Sequence, residues 1–132
     1  MNAFIVEDQN RPGELAKLAE AIGGAGINIT SIAAATCGST GSVALITNDE
    51  AGTRTALSKG GFSVHEIEAV SAGLEDRPGS LADVCRKLGT AGVNIEALLP
   101  TGMSGNRVSV AFLTDDPAKA RQILAAEIPA HA

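Results

Sequence analysis

The chain has no tryptophan and no tyrosine, and its 132 residues include three phenylalanines. Any core it forms must be aliphatic. It has no run of lysine and arginine, and its formal net charge is −5, so binding to the phosphate backbone of nucleic acid has no electrostatic support. No apolar stretch approaches membrane-spanning length, and Met1-Asn2-Ala3-Phe4-Ile5-Val6 lacks the charged region, apolar core and cleavage site of a signal peptide. A cytoplasmic location without membrane contact is the expectation. Cys37 and Cys85 are the two cysteines; with no CxxC spacing and two distant histidines they offer no metal set. Cys37 is expected as a loop thiol and Cys85 as a small buried apolar residue.

Catalytic signatures are missing as well. There is no nucleophile beside a base, no HExxH and no phosphate loop of the GxxxxGK[ST] type. His65 and His131 have no recognisable partners, His65 reading as a half-exposed strand residue and His131 as part of a frayed tail. The chain is therefore not expected to be an enzyme or to carry a cofactor.

Hydrophobic residues are 45% of the chain and charged residues 19%, a balance that excludes a disordered protein and supplies a core. The main feature is a repeat. Shifting the sequence by 66 residues lays Arg11–Ile29 over Arg77–Ile95 with 10 of 19 positions identical, where shared composition would give roughly one or two. Arg11-Pro12-Gly13 returns as Arg77-Pro78-Gly79, and Gly26-Ile27-Asn28-Ile29 returns as Gly92-Val93-Asn94-Ile95. The chain is an internal duplication, with domains expected at residues 1–67 and 68–132.

Periodicity orders the elements of each copy. Residues 2–8 and 68–75 suit a first strand. Leu15, Leu18, Ala19 and Ile22, matched by Leu81, Val84, Cys85 and Leu88, recur at i, i+3, i+4 and i+7 and predict an amphipathic helix. Pro12 and Pro78 are expected at its first position, and Gly23-Gly24 or Gly89 at its end. A second strand over 27–32 or 93–98 alternates apolar and polar residues. Gly-rich turns at 38–41 and 102–105 lead into a third strand, 42–47 or 107–114, the second turn carrying one extra residue. Asn48-Asp49 and Asp115-Asp116-Pro117 open a second helix, over 50–59 and 117–127. The first copy closes on a fourth strand, 62–66; in the second, residues 128–132 leave that strand missing or a stub. The fold class is α+β: two tandem ferredoxin-like βαββαβ units, antiparallel sheets with helices on one face.

A strand followed by D/N-x-P-G-x-L-A, an amphipathic helix, then G-[IV]-N-I in a βαββαβ order resembles the ACT domain, a small-ligand sensor attached to many enzymes of amino-acid metabolism. The resemblance covers practically the whole chain as two tandem units without a catalytic domain. It implies a stand-alone regulatory protein that binds an amino acid or related metabolite where two ACT units meet and passes the signal to a partner enzyme or regulator, or to its own assembly. It implies a homodimer as well. In the family the ligand is held by the strand-to-helix turn of one unit and the start of the second strand of another. Here the turn residues are Asn10, Arg11, Pro12 and Gly13, with Asp76, Arg77, Pro78 and Gly79; the strand residues are Asn28, Ile29 and Thr30, with Asn94, Ile95 and Glu96.

The chemistry suits such a ligand. Backbone N–H groups at a helix start can receive a carboxylate, while Asp76 or the oxygens of Asn28 and Asn94 can receive an ammonium group. Where one copy has Asn10 the other has Asp76, and where one has Thr30 the other has Glu96. Sites combining the turn of one copy with the strand of the other join Asp76 with Thr30 and Asn10 with Glu96, one carboxylate in each. Every one of these residues also has a structural reading: the Pro-Gly pairs as helix starts, the asparagines as partners of backbone groups, the arginines as solvated or ion-paired. A ligand-free module that pairs with an enzyme subunit through an uncovered sheet edge is the alternative function.

Overall fold

A computed structural model describes residues 1–127. The chain forms two compact units, Asn2–Ile67, and Met1 with the chain from Glu68 onward. The first unit contains β1 (Asn2–Gln9), α1 (Glu14–Gly23), β2 (Ile29–Cys37), β3 (Thr40–Thr47), α2 (Glu50–Lys59) and the opening of β4 (Ser63–Glu75). The remainder of β4 begins the second unit, followed by α3 (Ser80–Thr90), β5 (Ile95–Ser104), β6 (Arg107–Thr114) and α4 (Pro117–Ile123), with a 3-10 turn at Ala125–Glu127. In each unit the third strand is central and antiparallel to both neighbours, in the orders β2-β3-β1 and β5-β6-β4. This is the tandem ferredoxin-like α+β fold that the repeat predicts. The fourth and first strands read as separate are one continuous strand, β4. The fourth strand of the second copy falls on residues 128–132, outside the described residues, as does His131. No described helix is long and apolar enough to cross a membrane.

The cores form on one sheet face. Phe4, Val6, Val43 and Leu45 alternate along β1 and β3 and meet Leu18 and Ile22 of α1 and Leu57 of α2. Val70, Ala72, Leu74, Val110 and Phe112 meet Val84 and Leu88 of α3 and Ala120 of α4 in the second unit. One cross-strand pair sits at the centre of each core, Phe4 opposite Leu45 and Val70 opposite Phe112. The phenylalanine has changed strands between the copies, which keeps one large ring at the same level.

Several local expectations change. Both hairpins turn on two residues, Gly38-Ser39 and Gly105-Asn106, with Gly38 at φ 65° and Gly105 at φ 60°, the left-handed geometry that glycine adopts without strain. The extra residue of the second copy lies not in the turn but in β5, where the register slips between Pro100 and Gly102 and a β-bulge absorbs it. β2 continues well past Ile32, so Cys37 ends a strand rather than lying in a loop, and it is exposed; Cys85 is half-buried.

A polar clamp ties the first unit together. The Arg54 guanidinium on α2 donates two hydrogen bonds of 2.7 Å to the Glu66 carboxylate, and the Asn2 side-chain amide donates a third at 2.6 Å. The Asn2 backbone N–H donates to Glu50 at 2.7 Å. The second unit retains the arginine as Arg121 and pairs it with Glu68, which stands where the first unit has Asn2. The hydrogen bonds from Arg54 and then Asn2 hold the Glu66 carboxyl down at about 2, from an ordinary value of 4.5. The unfolded chain thus binds this proton more readily than the folded one, and the clamp's contribution is present above about pH 4.5 and lost as pH falls toward 2. Denaturant unfolding at pH 7 and pH 3 should show wild type losing more stability on acidification than Glu66→Gln; equal losses would mean that the clamp is not linked to this proton.

Candidate functional site

The repeated Arg-Pro-Gly is a turn before it is a helix start. Gly13 and Gly79 lie at φ 89° with ψ −11° and −13°, and the Glu14 and Ser80 N–H groups donate to the Arg11 and Arg77 carbonyls at 3.3 and 3.4 Å. Proline followed by glycine at positive φ, closed by that bond, is a type II turn. The helices begin one residue later, so Pro12 and Pro78 sit ahead of the cap and not at the first helical position as their sequence context suggests. The reason is that Gly13 and Gly79 are left-handed, which no helical residue can be. The first helical bonds run from the Lys17 N–H to Gly13 and from the Asp83 N–H to Gly79, both 3.0 Å. The N–H groups of Leu15 and Ala16, and of Leu81 and Ala82, therefore precede the ladder and face outward from the helix start.

The second repeated motif ends the helix. The Gly26 N–H donates to Gly23 and the Ile27 N–H to Ile22; Gly92 donates to Gly89 and Val93 to Leu88 in the same way. With Gly26 at φ 78° and Gly92 at φ 79°, these are Schellman closures, each supported by contact of Ile27 or Val93 within the core. The end read from Gly23-Gly24 holds, since α1 stops at Gly23 with Gly24 as its cap, whereas α3 runs through Gly89 to Thr90; in both copies the reversing glycine comes later, at Gly26 and Gly92. The Asn28 and Asn94 backbones then exchange hydrogen bonds with Asn48 and Asp115 of the β3–α2 and β6–α4 connections, at 2.9–3.1 Å. It is Asn48 and Asp115 that satisfy backbone groups here. The Asn28 and Asn94 side chains make no hydrogen bond to a described residue within their units.

The bulged residue at the start of each second strand is Thr30 in β2 and Glu96 in β5. The Thr30 hydroxyl donates to the Ile46 carbonyl at 3.1 Å. Ile29 and Ile95 are half-buried and pack on their units' cores. At the turns the copies diverge. The Asn10 side chain donates to the Gly38 carbonyl at 2.9 Å, tying the turn to the hairpin, while Asp76 contributes its backbone N–H to Asn106 at 2.6 Å and leaves its carboxylate exposed. Arg11 pairs with Glu14 at 2.7 Å, and Arg77 with Glu75 at 3.0 Å and Asp83 at 3.6 Å.

Turn and strand start do not meet inside a unit. Gln9 lies opposite Thr40 on β3, whereas Ile29 lies opposite Thr47; seven residues of strand separate the two levels by about 23 Å. Glu75 opposite Arg107 and Ile95 opposite Thr114 repeat the arrangement. What each turn does adjoin is a groove. In the first unit, a groove of 410 Å³ is lined by Asn10, Arg11 and Leu15 and by Ala34, Ala35 and Thr36 from the far half of β2. That half strand is missed in the sequence because Ala33-Ala34-Ala35 shows no apolar–polar alternation.

The chain matches the ACT domain pair over residues 1–128. It belongs to that family. No curated protein matches it. Among solved structures the ACT pair is similar to a protein from Bacteroides thetaiotaomicron, with a TM-score of 0.76 and 23% identity over 95% of this chain and 86% of that one. It is similar also to the regulatory subunit of aspartate kinase from Thermus thermophilus in its ligand-free form, TM-score 0.65 and 24% identity, covering 95% and 89%. A structure of aspartokinase alpha and beta subunits gives 0.64 and 25%, covering 95% and 90%.

A Cβ added to Gly13 meets nothing within 4 Å, and one on Gly79 meets only Arg77, at 3.9 Å, so substitution there costs conformation and not space. Gly13→Ala and Gly79→Ala should each destabilise the protein by about 1–2 kcal/mol, read by denaturant unfolding. A cost near zero at either position would mean that the turn is not held in this geometry.

Proposed function

We propose that this ACT pair is a regulatory protein that binds an amino acid or related small metabolite without transforming it, and relays binding to a partner enzyme or to its own assembly. The ligand is held between ACT units, by the turn of one and the strand start of another. The observation that carries this reading is the separation of about 23 Å between these two repeated motifs within each unit: polar groups suited to the two ends of an amino acid can converge only when different units supply them. Backbone N–H groups beyond Gly13 and Gly79 receive the carboxylate. The ammonium group is met in one site by Asp76 of the turn, across from Thr30 and Asn28 of the strand start, and in the other by Glu96 of the strand start, across from Asn10 of the turn. The likeness to regulatory subunits of aspartate kinase supports the regulatory role and an enzyme subunit as partner.

The alternative, a ligand-free pairing module, draws support from Ile32 and Leu98, matched apolar residues on the outermost strands of their units that are 43% and 36% exposed. Melting the protein with each of the twenty amino acids separates the readings, since a ligand specific for the folded state at a hundred times its Kd adds about 2.7 kcal/mol. A rise with one amino acid or a small related group is expected; no rise with any favours the pairing module. Titration calorimetry with the ligand so found should then show Asp76→Asn binding at least about tenfold more weakly, a loss of about 1.4 kcal/mol. Unchanged affinity would remove Asp76 from the site.

A further inference from the structure

The second unit contains a groove of 680 Å³ between the face of α3, the end of β4 and the start of β6. Its floor is apolar, from Leu74, Val84 and Ala91, and its rim carries Arg77, Arg86, Lys87 and Arg107. These are four of the ten cationic side chains of a chain whose net charge is −5. Facing them are three carboxylates, Glu75, Asp83 and Glu127. Cations concentrated against the overall charge focus an anion-attracting field in a concave surface, and the volume is that of a small-molecule site.

The copies show that this charge is particular to one unit. Arg86 and Lys87 stand where the first copy has Glu20 and Ala21. Strand register identifies Arg107 with Thr40, for Arg107 lies opposite Glu75 on β4 as Thr40 lies opposite Gln9 on β1. The fold therefore accommodates non-cationic residues at all three places, and packing alone does not require the basic ones. The existing ion pairs do not close the groove to a ligand. Arg77 and Arg86 share Asp83, at 3.6 and 3.3 Å, and Lys87 pairs with Glu127 at 3.0 Å. These pairs are solvent-exposed, and an exposed pair exchanges for another anion at little cost. Arg107 meets no carboxylate among the described residues; its guanidinium donates to the Gly73 carbonyl at 2.6 Å, leaving further N–H donors for a bidentate anion.

We infer that this groove is a second ligand site, specific to the second ACT unit, for a small multiply charged anion such as a phosphate ester or a di- or tricarboxylate. It is separate from the amino-acid site: apart from Arg77 its residues are not those of the turn and strand starts. Calorimetry of the full chain with inorganic phosphate and with citrate, at constant ionic strength of about 0.15 M set by sodium chloride, should show saturable binding of at least one. Whichever saturates assigns phosphate or carboxylate chemistry. The variant carrying Arg86→Glu, Lys87→Ala and Arg107→Thr, the residues of the first copy, should lose at least about tenfold in affinity and melt cooperatively. Arg107→Thr alone should weaken binding in the same direction, which keeps the test open if the triple variant does not fold. Amino-acid binding should survive in both, since Asp76 and Arg77 are untouched. Absence of saturable binding of either anion, or equal affinity in wild type and Arg107→Thr, would overturn the inference whether or not an amino acid binds.

Discussion

Each unit depends on filling one sheet face with aliphatic side chains around one fully buried phenylalanine ring. Phe4 opposite Leu45 in the first copy, and Val70 opposite Phe112 in the second, occupy the same cross-strand pair with the large residue exchanged between strands. The exchange keeps the volume under the helices nearly constant, which an interior packed to crystal-like density requires. Because that layer is filled, Leu18 and Ile22, or Val84 and Leu88, seat the first helix of each unit at one height. The height of that helix in turn decides where the Pro-Gly turn must reverse the chain.

The two motifs shared by the copies are first of all backbone devices. Gly13 and Gly79 close type II turns, and Gly26 and Gly92 close Schellman ends; both conformations favour glycine irrespective of any ligand. Their repetition is thus explained by the fold. A ligand role has to rest on groups the fold leaves spare: the Asp76 carboxylate, the Asn28 and Asn94 side chains, and the N–H groups ahead of the helical ladder. Asn10, by contrast, is spent on Gly38, so the two turns are chemically unequal although their backbones coincide.

The copies have diverged in charge more than in shape. Arg54 and Arg121 hold the same place on the second helix of each unit and find carboxylates at different positions of β4, Glu66 and Glu68. Arg86, Lys87 and Arg107 have gathered on one unit only. Such substitutions fall on helix faces and strand ends where side chains reach water, and the buried lattice beneath them constrains them little.

The family, the order of elements and most of their limits were legible from the chain, because a repeat at a 66-residue offset shows each pattern twice and local periodicity follows directly from which face is buried. The span 50–59 folds as α2 despite Gly52 and two threonines, since the Thr53 hydroxyl is paired with Thr47 at 2.7 Å inside the unit. The sequence by itself determined the duplicated fold and the two glycine-dependent motifs, which are properties of neighbouring residues. Only the tertiary structure decided that the turn and the strand start lie at opposite ends of each sheet, and that cations distant in sequence, Arg77, Lys87 and Arg107, rim one groove. Strand register and helix docking set those distances, and both are fixed by packing between segments far apart in the chain.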